Sequence, residues 1–488
     1  MIVNNLTDIK SLLFDNKSLK QTVFKNTFWL AIAEGITRIL KLFLIIYVAR
    51  ILGATEYGKF SFALSFVSLF AVFSDFGLNP ITVRELSREK EKDFPFILSL
   101  KTFLSLGTLI LIFIGSFFIT PDIVVRKLIW ILAIYILINS FSGIVYCFFR
   151  ARQQMEYESF AKIFQAITVT GAGFFIIFNF PSAQNLSFSY LFATTLTLFF
   201  ILLFFRFKFY PLKLSFNKAV WQNLLKMTWP LGLAGMFSGI YGNIGSIIMG
   251  NLGQITEAGW YNAAFKLVGI TMLPINLIST SFFPVLSKFF KESKESLQKV
   301  WNYYIRIMIF FAVPLAVGGV TLAPKIIDFV YDPSYFPSIS AFQILIVMVS
   351  FSFILIPFSQ MLIISDHQKK NLWIAFAGAI TNSVLGLILI PYYSLYGTAI
   401  TILISTILMF FLFFIFSVRL THINPISLDI IFHTIGVLIA SALMYFIISC
   451  QSIYNLYILK SILIGVTTYL ISFLGYKKLT SNFLSIRN

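Results

Sequence analysis

Long runs of apolar residues alternate with short polar breaks along the whole chain of 488 residues. A helix needs about 20 mainly apolar residues to cross a bilayer, because each backbone amide must find its hydrogen bond within the segment. The pattern therefore predicts an all-α integral membrane protein with about fourteen transmembrane helices. The predicted spans are residues 26–48, 60–79, 96–118, 128–149, 160–180, 187–205, 227–250, 260–283, 301–322, 339–364, 372–391, 396–418, 430–450 and 456–476.

The composition excludes a soluble protein of this size. Hydrophobic residues make up 58% of the chain and charged residues 11%, whereas a soluble domain is about 25% charged. The formal net charge is +18, but the breaks contain no soluble domain on which a basic face could bind nucleic acid. Nucleic acid is therefore not an expected partner, and anionic membrane lipids are.

The positions of the cationic residues predict the orientation. With the N-terminus in the cytoplasm, the cytoplasmic breaks and tails carry 25 lysines and arginines, the external breaks carry five, and seven lie within spans. Short loops rich in Lys and Arg stay on the cytoplasmic side of a membrane. This bias predicts a multi-pass protein of the cytoplasmic (plasma) membrane with both termini in the cytoplasm.

A repeated segment indicates an internal duplication. The chain reads LGATEYGKFSFA from residue 52 and LGQITEAGWYNAA from residue 252, so Gly53 matches Gly253 and Gly58 matches Gly259 with one inserted residue. Six predicted spans separate the copies, so both face the same way, as in transporters built from parallel repeats. The alternative is a chance similarity of two glycine-rich helix turns. The predicted division is an N-terminal segment 1–25, an N-lobe 26–206, an inter-lobe loop 207–226, a C-lobe 227–418, and two further helices with a tail at 419–488.

Charged residues inside the first span are the main candidates for a binding site. Glu34, Arg38 and Lys41 lie on one helical stripe, and Arg38 is near mid-depth, where an arginine costs about 2.5–3.5 kcal/mol on insertion scales. Glu34 and Arg38 are four residues apart and can neutralise each other. One interpretation is therefore a structural ion pair between helices. The other is a polar cavity whose surplus cations bind an anionic substrate.

The eighth span carries a second polar stripe. Asn262, Lys266 and Asn276 recur there at helical spacing, and the duplication would place them across a central cleft from Arg38. The candidate substrate-binding residues are therefore Arg38, Lys266, Lys41, Glu34, Asn262 and Asn276. Four other cations lie within about five residues of a span end, so we expect them to extend to the head groups instead; they are Lys101, Lys162, Arg306 and Lys460.

Nothing in the sequence indicates catalysis. The three histidines, His367, His422 and His433, are far apart and do not suggest a metal site, and no Walker A loop is present. A membrane glycosyltransferase or polymerase would need a sizeable external domain, and the external breaks are short. We therefore expect no enzyme, no catalytic residue, no metal and no cofactor; a membrane scaffold would not require charges at mid-depth.

Four strings together resemble one family. They are ARILGATEYGKFSFALSF (49–66), SDFGLNPITVREL (74–86), WYNAAFKLVGITMLPINLISTSFFPVLSK (260–288) and NSVLGLILIPYYSLYGTAI (382–400). They are similar to the polysaccharide transporter family, the Wzx-type oligosaccharide flippases of the multidrug/oligosaccharidyl-lipid/polysaccharide exporter superfamily. Each motif is loose, but their order and spacing extend over essentially the whole chain.

The resemblance implies a V-shaped bundle of two parallel six-helix lobes that faces each side of the membrane in turn. It also implies a polyprenyl-pyrophosphate-linked oligosaccharide as substrate, moved outward for O-antigen, capsule or other surface polysaccharide, in a cationic central cavity. A proton or sodium ion as coupling ion and polysaccharide-assembly enzymes are the further expected partners. Neighbouring alternatives are a cation-coupled multidrug exporter, against which the surplus of cations argues, and a lipid II flippase.

Overall fold

The computed structural model describes residues 14–16, 18–88, 91–209, 213–450, 453 and 456–485; most of the predicted N-terminal segment 1–25, residues 1–13 and 17, lies outside that range. The described chain is helical throughout, with no strand. The helices are α1 Leu19–Asp75, α2 Leu78–Leu86, α3 Phe94–Ile119, α4 Ile123–Ala151, α5 Met155–Asn179, α6 Ala183–Lys208, α7 Lys218–Asn251, α8 Ile255–Ile270, α9 Met272–Glu292, α10 Lys294–Val330, α11 Ser338–Ile364, α12 Gln368–Thr421, α13 Leu428–Ser449 and α14 Ile458–Ser485.

The lengths of these helices confirm a multi-pass membrane protein. Eleven helical stretches of the described chain are long and apolar enough to cross a membrane, with α8 and α9 counted together. One of them, α12, has 54 residues and a non-helical break at Ser394, so it contains two of the predicted spans. The two halves of α1, which meet at Gly53, contain two more. With α12 counted as two spans and the two halves of α1 added, the described chain has fourteen, in agreement with the predicted number of about fourteen.

Local sequence sets where the helices begin and break. Ser182 and Asn217 accept hydrogen bonds from backbone amides of the first turns of α6 and α7, which satisfies donors that have no partner inside a helix. Gly53 has φ 72° and ψ 172°, a conformation that residues with a Cβ rarely adopt. The break within α1 therefore depends on this glycine.

Two predicted spans are interrupted. The predicted span 60–79 ends early, because α1 stops at Asp75 and the chain turns through Phe76 and Gly77, both at positive φ. The predicted span 260–283 is divided at Thr271, between α8 and α9. The turn at Thr271 separates Asn262 and Lys266 on α8 from Asn276 on α9, so the predicted stripe does not lie on one continuous helix.

Packing divides the chain into two compact units, Met1–Gly259 and Trp260–Asn488. Helices α1 to α7 belong to the first unit, and α9 to α14 belong to the second. Residues 218–226 were predicted to be part of a loop, but they form the first turns of α7; residues 210–212 of that loop lie outside the described chain. The predicted lobes 26–206 and 227–418 refer to a duplication rather than to packing and stay a prediction.

A cluster of buried phenylalanines packs three helices of the first unit together. The rings of Phe94, Phe148 and Phe205 lie 4.8–5.8 Å apart between centroids, within the range of favourable aromatic contacts. All three side chains are buried. They join α3, α4 and α6. Arg150, near the end of α4, lies next to this cluster and belongs to the candidate functional site.

Candidate functional site

The predicted stripe on α1 is present and accessible. Four residues of a helix rise about 6 Å, and Nε of Arg38 lies 3.4 Å from Oε2 of Glu34 one turn away. Nearly half of each side chain is exposed, 46% for Arg38 and 48% for Glu34. Lys41 is exposed as well, whereas Ala33 and Leu44 are fully buried. The charged face of α1 therefore differs from the face that packs in the core.

A lysine from α5 completes the contacts of Glu34. Nζ of Lys162 lies 2.9 Å from Oε1 of Glu34 and 3.0 Å from Oε1 of Glu158, one turn back on α5. Lys162 was expected to extend toward the head groups, and that prediction is wrong. Its charge is held by two carboxylates, and only 20% of its side chain is exposed.

Arg150 at the end of α4 holds the second of these carboxylates. Its Nη2 and Nε lie 2.5 and 2.7 Å from the two oxygens of Glu158, a two-point contact. Glu158 is fully buried. A buried carboxylate is tolerated only when charges and donors of this kind compensate it. Arg150 and Lys162 supply both.

These five side chains form a continuous row that we name the charged ladder: Arg150, Glu158, Lys162, Glu34 and Arg38. Within it, three cations alternate with two carboxylates, and Lys41 adds a fourth cation on the same face of α1. The described site therefore carries a net charge of +2, and Lys41 adds to the positive charge at the end that Arg38 forms. Surplus positive charge attracts anions, so this end of the ladder favours them.

The start of α1 is fixed to the turn between α4 and α5. Lys25 is fully buried, and its Nζ lies 3.1 Å from Glu156 and donates to the backbone carbonyl of Gln153 at 3.0 Å. Asn26 donates to the side-chain oxygen of Gln153 at 2.7 Å. These contacts hold the helices that carry the ladder in register.

A further ion pair of the first unit lies outside the charged ladder. Nζ of Lys101 on α3 lies 3.2 Å from Oδ1 of Asp75, the last residue of α1, and also donates to Ser140 on α4. The side chain of Lys101 is fully buried. Lys101 was also expected to extend to the head groups, and that prediction is wrong.

The remaining candidate residues belong to the second unit. Asn262 is buried on α8, while Lys266 on the same helix and Asn276 on α9 are exposed. The exposure of Lys266 is compatible with a role in binding. That these residues meet Arg38 stays a prediction.

Three members of the ladder were not among the predicted substrate-binding residues: Arg150, Glu158 and Lys162. One signal was available, because Glu158 and Lys162 are four residues apart at the start of α5, the spacing of a helical ion pair. The contact of Lys162 with Glu34 joins residues 128 positions apart, which no local pattern encodes.

Comparison with known protein families shows to which family the chain belongs. The profile described as "Polysaccharide biosynthesis protein" matches residues 23–290, more than half of the chain. The chain belongs to this family. The predicted resemblance is thereby confirmed.

Relatives extend the match beyond residue 290. The chain is 22% identical over 391 residues to the capsular polysaccharide biosynthesis protein CapF of Staphylococcus aureus, covering 78% of this chain and 96% of that protein. Several solved structures share the fold, among them the two that follow. The lipid II flippase MurJ in an inward closed conformation has a TM-score of 0.75 and 18% identity, over 92% of this chain and 99% of that chain. An inward-facing multidrug resistance transporter of the MATE family and MOP superfamily has a TM-score of 0.66 and 15% identity, over 79% and 94%.

This member of the polysaccharide biosynthesis family thus has the fold of membrane transporters. The proteins that share the fold are a flippase and a transporter by their titles. The expectation that the chain is not an enzyme accords with them.

Proposed function

We propose that the protein is a flippase that moves a polyprenyl-pyrophosphate-linked oligosaccharide from the cytoplasmic to the external leaflet of the cytoplasmic membrane. The observation that carries this proposal is the net positive charge of the ladder and Lys41 within a transporter fold. Membership of a polysaccharide biosynthesis family supports the substrate class.

The chemistry of such a substrate requires a polar, cationic path. A glycan cannot cross hydrocarbon unaided, because each hydroxyl would lose its hydrogen bonds to water. A polar groove shelters the sugars while the polyprenyl tail stays in the bilayer. Arg38 and Lys41 bind the pyrophosphate through charge-assisted hydrogen bonds in this scheme, and Lys266, Asn262 and Asn276 stay candidate substrate-binding residues.

Transport then follows from a change in which side of the membrane the site faces. The substrate must bind the two states differently for the equilibrium between them to shift, and rocking of two repeats about a central site provides the two states. A proton or sodium gradient supplies energy in this scheme, with Glu34 as the responding carboxylate. Polysaccharide-assembly enzymes deliver and consume the lipid-linked glycan.

The test is a leaflet-accessibility assay in proteoliposomes with a fluorescent polyprenyl-pyrophosphate oligosaccharide. Arg38→Ala and Lys266→Ala should each slow translocation about tenfold or more, because a hydrogen bond to a charged group contributes about 1.5–3 kcal/mol. Lys299→Ala is the matched control, since Lys299 is an exposed lysine paired only one turn away with Glu295 on α10. All three variants must insert into the membrane like the wild type.

A lipid II flippase is the second candidate, favoured by the TM-score of 0.75 with MurJ. Lipid II offered in the same assay separates the two. Faster translocation of lipid II than of other lipid-linked glycans would assign the protein to that substrate. Efflux of small organic cations without any glycan translocation would instead indicate a cation-coupled multidrug exporter.

A further inference from the structure

Glu34 contacts two cations, and the two contacts are unequal. Nζ of Lys162 lies 2.9 Å from one oxygen of Glu34, and Nε of Arg38 lies 3.4 Å from the other. The contact with Arg38 uses Nε alone among the hydrogen bonds of the described chain. The two terminal guanidinium nitrogens of Arg38, which can engage a phosphate in a two-point contact, are thus not used by Glu34.

Lys162 is itself held in place from the buried side. Its ammonium group contacts Glu158 at 3.0 Å, and Glu158 is fixed by the two-point contact of Arg150. Glu158 is fully buried and Lys162 is four-fifths buried. Lys162 therefore has a fixed position from which it attracts Glu34.

Without Lys162, Glu34 would be free to pair more closely with Arg38. Glu34 and Arg38 are neighbours on one helix face, where a glutamate and an arginine attract each other. A carboxylate and a guanidinium prefer a two-point contact, which would occupy the nitrogens of Arg38. Lys162 opposes that contact by holding one oxygen of Glu34.

We propose that Lys162 is a positioning residue: by holding Glu34, it keeps the guanidinium group of Arg38 open to the anionic group of the substrate. This inference rests on the proposed function, because it assigns a role to a residue of the same site. Lys162 acts through Glu34, so its effect on anion binding requires the Glu34 carboxylate.

That requirement distinguishes positioning from two other roles. A lysine that contacted the anion directly would matter whether or not residue 34 is charged. A lysine that only stabilised the fold would affect thermal stability rather than the affinity for a diphosphate. The decisive comparison is therefore the effect of removing Lys162 with Glu34 present and with Glu34 replaced by glutamine.

The experiment measures the affinity of the full-length protein in lipid nanodiscs for farnesyl diphosphate, a short polyprenyl diphosphate, with farnesol as the uncharged control. Lys162→Ala should weaken binding about threefold to fivefold, the scale of one partly exposed ion pair. Lys162→Arg should restore it. Glu34→Gln should bind a few times more tightly than the wild type, because it removes the competitor for Arg38.

The double variant Glu34→Gln/Lys162→Ala should bind as tightly as Glu34→Gln alone. An equal loss of affinity from Lys162→Ala in both backgrounds would mean direct contact with the anion and would overturn the inference. Unchanged affinity of Lys162→Ala would also overturn it. Lys162→Met keeps the length of the side chain and serves as the second variant if Lys162→Ala is unstable, with the same expectation. Lys299→Ala should behave like the wild type.

The outcome for the wild type separates this inference from the function on which it rests. A wild-type protein that binds farnesyl diphosphate no better than farnesol, while its thermal unfolding is normal, contradicts the proposed function, and the inference falls with it. If the wild type binds farnesyl diphosphate but the Lys162 and Glu34 variants do not behave as expected, only the role of Lys162 is contradicted.

Discussion

Charged side chains in this protein differ in how completely neighbouring opposite charges neutralise them. Lys101 is fully enclosed and has one carboxylate, that of Asp75, within 3.2 Å. Arg38 and Glu34 are nearly half exposed, and the cations around them outnumber the carboxylates. Full compensation suits a structural role, whereas a surplus of accessible positive charge suits an anion. The Lys101–Asp75 pair therefore suits a structural role, and the Glu34–Arg38 pair suits the binding of an anion.

The Lys101–Asp75 pair gives a prediction about stability. Asp75→Asn leaves the buried ammonium of Lys101 without its counter-charge and should reduce the free energy of unfolding by about 3 kcal/mol, because removing one partner of a buried pair costs more than replacing both. The double variant Asp75→Asn/Lys101→Met should recover most of this loss. Thermal unfolding in detergent measures both.

A matched exposed pair provides the control. Lys299 and Glu295 lie 2.7 Å apart on α10 with about three-quarters of each side chain exposed, and Glu295→Gln should leave the unfolding midpoint unchanged. If Asp75→Asn were equally harmless, Lys101 would not depend on Asp75, and the structural role of this pair would be wrong.

At the scale of helices, the two copies of the repeated motif pack against each other. A Cβ on Gly58 would lie 2.0 Å from the carbonyl oxygen of Ile255, and a Cβ on Gly259 would lie 2.0 Å from that of Ala54. The contacts are reciprocal, and each joins residues 197 or 205 positions apart, on either side of the 201 that separate Gly58 from Gly259. Two helices cross here so closely that only glycine fits, which is the arrangement that a duplicated pair would produce.

The crossing predicts that a single methyl group is harmful at one glycine and harmless at another. Gly58→Ala should reduce the unfolding midpoint, because the backbones of α1 and α8 would have to separate, at a cost of about 1–3 kcal/mol. Gly107→Ala on α3 is the matched control: its Cβ meets no atom within 4 Å, so the better helix propensity of alanine should raise stability slightly.

The hydroxyl groups of Thr55 and Thr256, 2.9 Å apart at the same crossing, offer an independent readout. Cysteines at both positions should cross-link under oxidation, and Gly58→Ala should slow that reaction. Equal stability and cross-linking of the Gly58 and Gly107 variants would show that the close approach is not required.

At the scale of the whole molecule, the distribution of positive charge predicts how the chain lies in the membrane. The predicted orientation places the turn after α13 outside the cell. Cys450 at that turn is exposed, and Cys147 within α4 is buried. The two cysteines of the chain therefore report on topology without further substitution.

The orientation is tested by labelling intact cells with a membrane-impermeant maleimide. Cys450 should react from outside, Cys147 should not react because it is buried, and Cys450→Ser should abolish labelling. Reaction of Cys450 only after the cells are permeabilised would reverse the predicted topology and place both termini outside.

The pattern of apolar runs was sufficient to predict the class of fold and the approximate spans. Apolar runs such as residues 96–118 became helices with nearly the same ends, Phe94–Ile119, because a chain in lipid must satisfy its backbone hydrogen bonds locally. The stripe of Glu34, Arg38 and Lys41 could be read in the same way, since helical spacing alone places these residues on one face.

The partner of each charged side chain depends on tertiary packing and could not be predicted from the sequence. Lys101 and Lys162 look alike in sequence, as lysines near the end of an apolar run, yet one is fully enclosed with Asp75 and the other connects Glu34 to Glu158. The reason is physical: spacing along a helix fixes the face on which a side chain lies, whereas the neighbour of that face is chosen by the packing of helices distant in sequence. The contact of Lys162 with Glu34, on which the positioning role of Lys162 rests, belongs to that second kind of information.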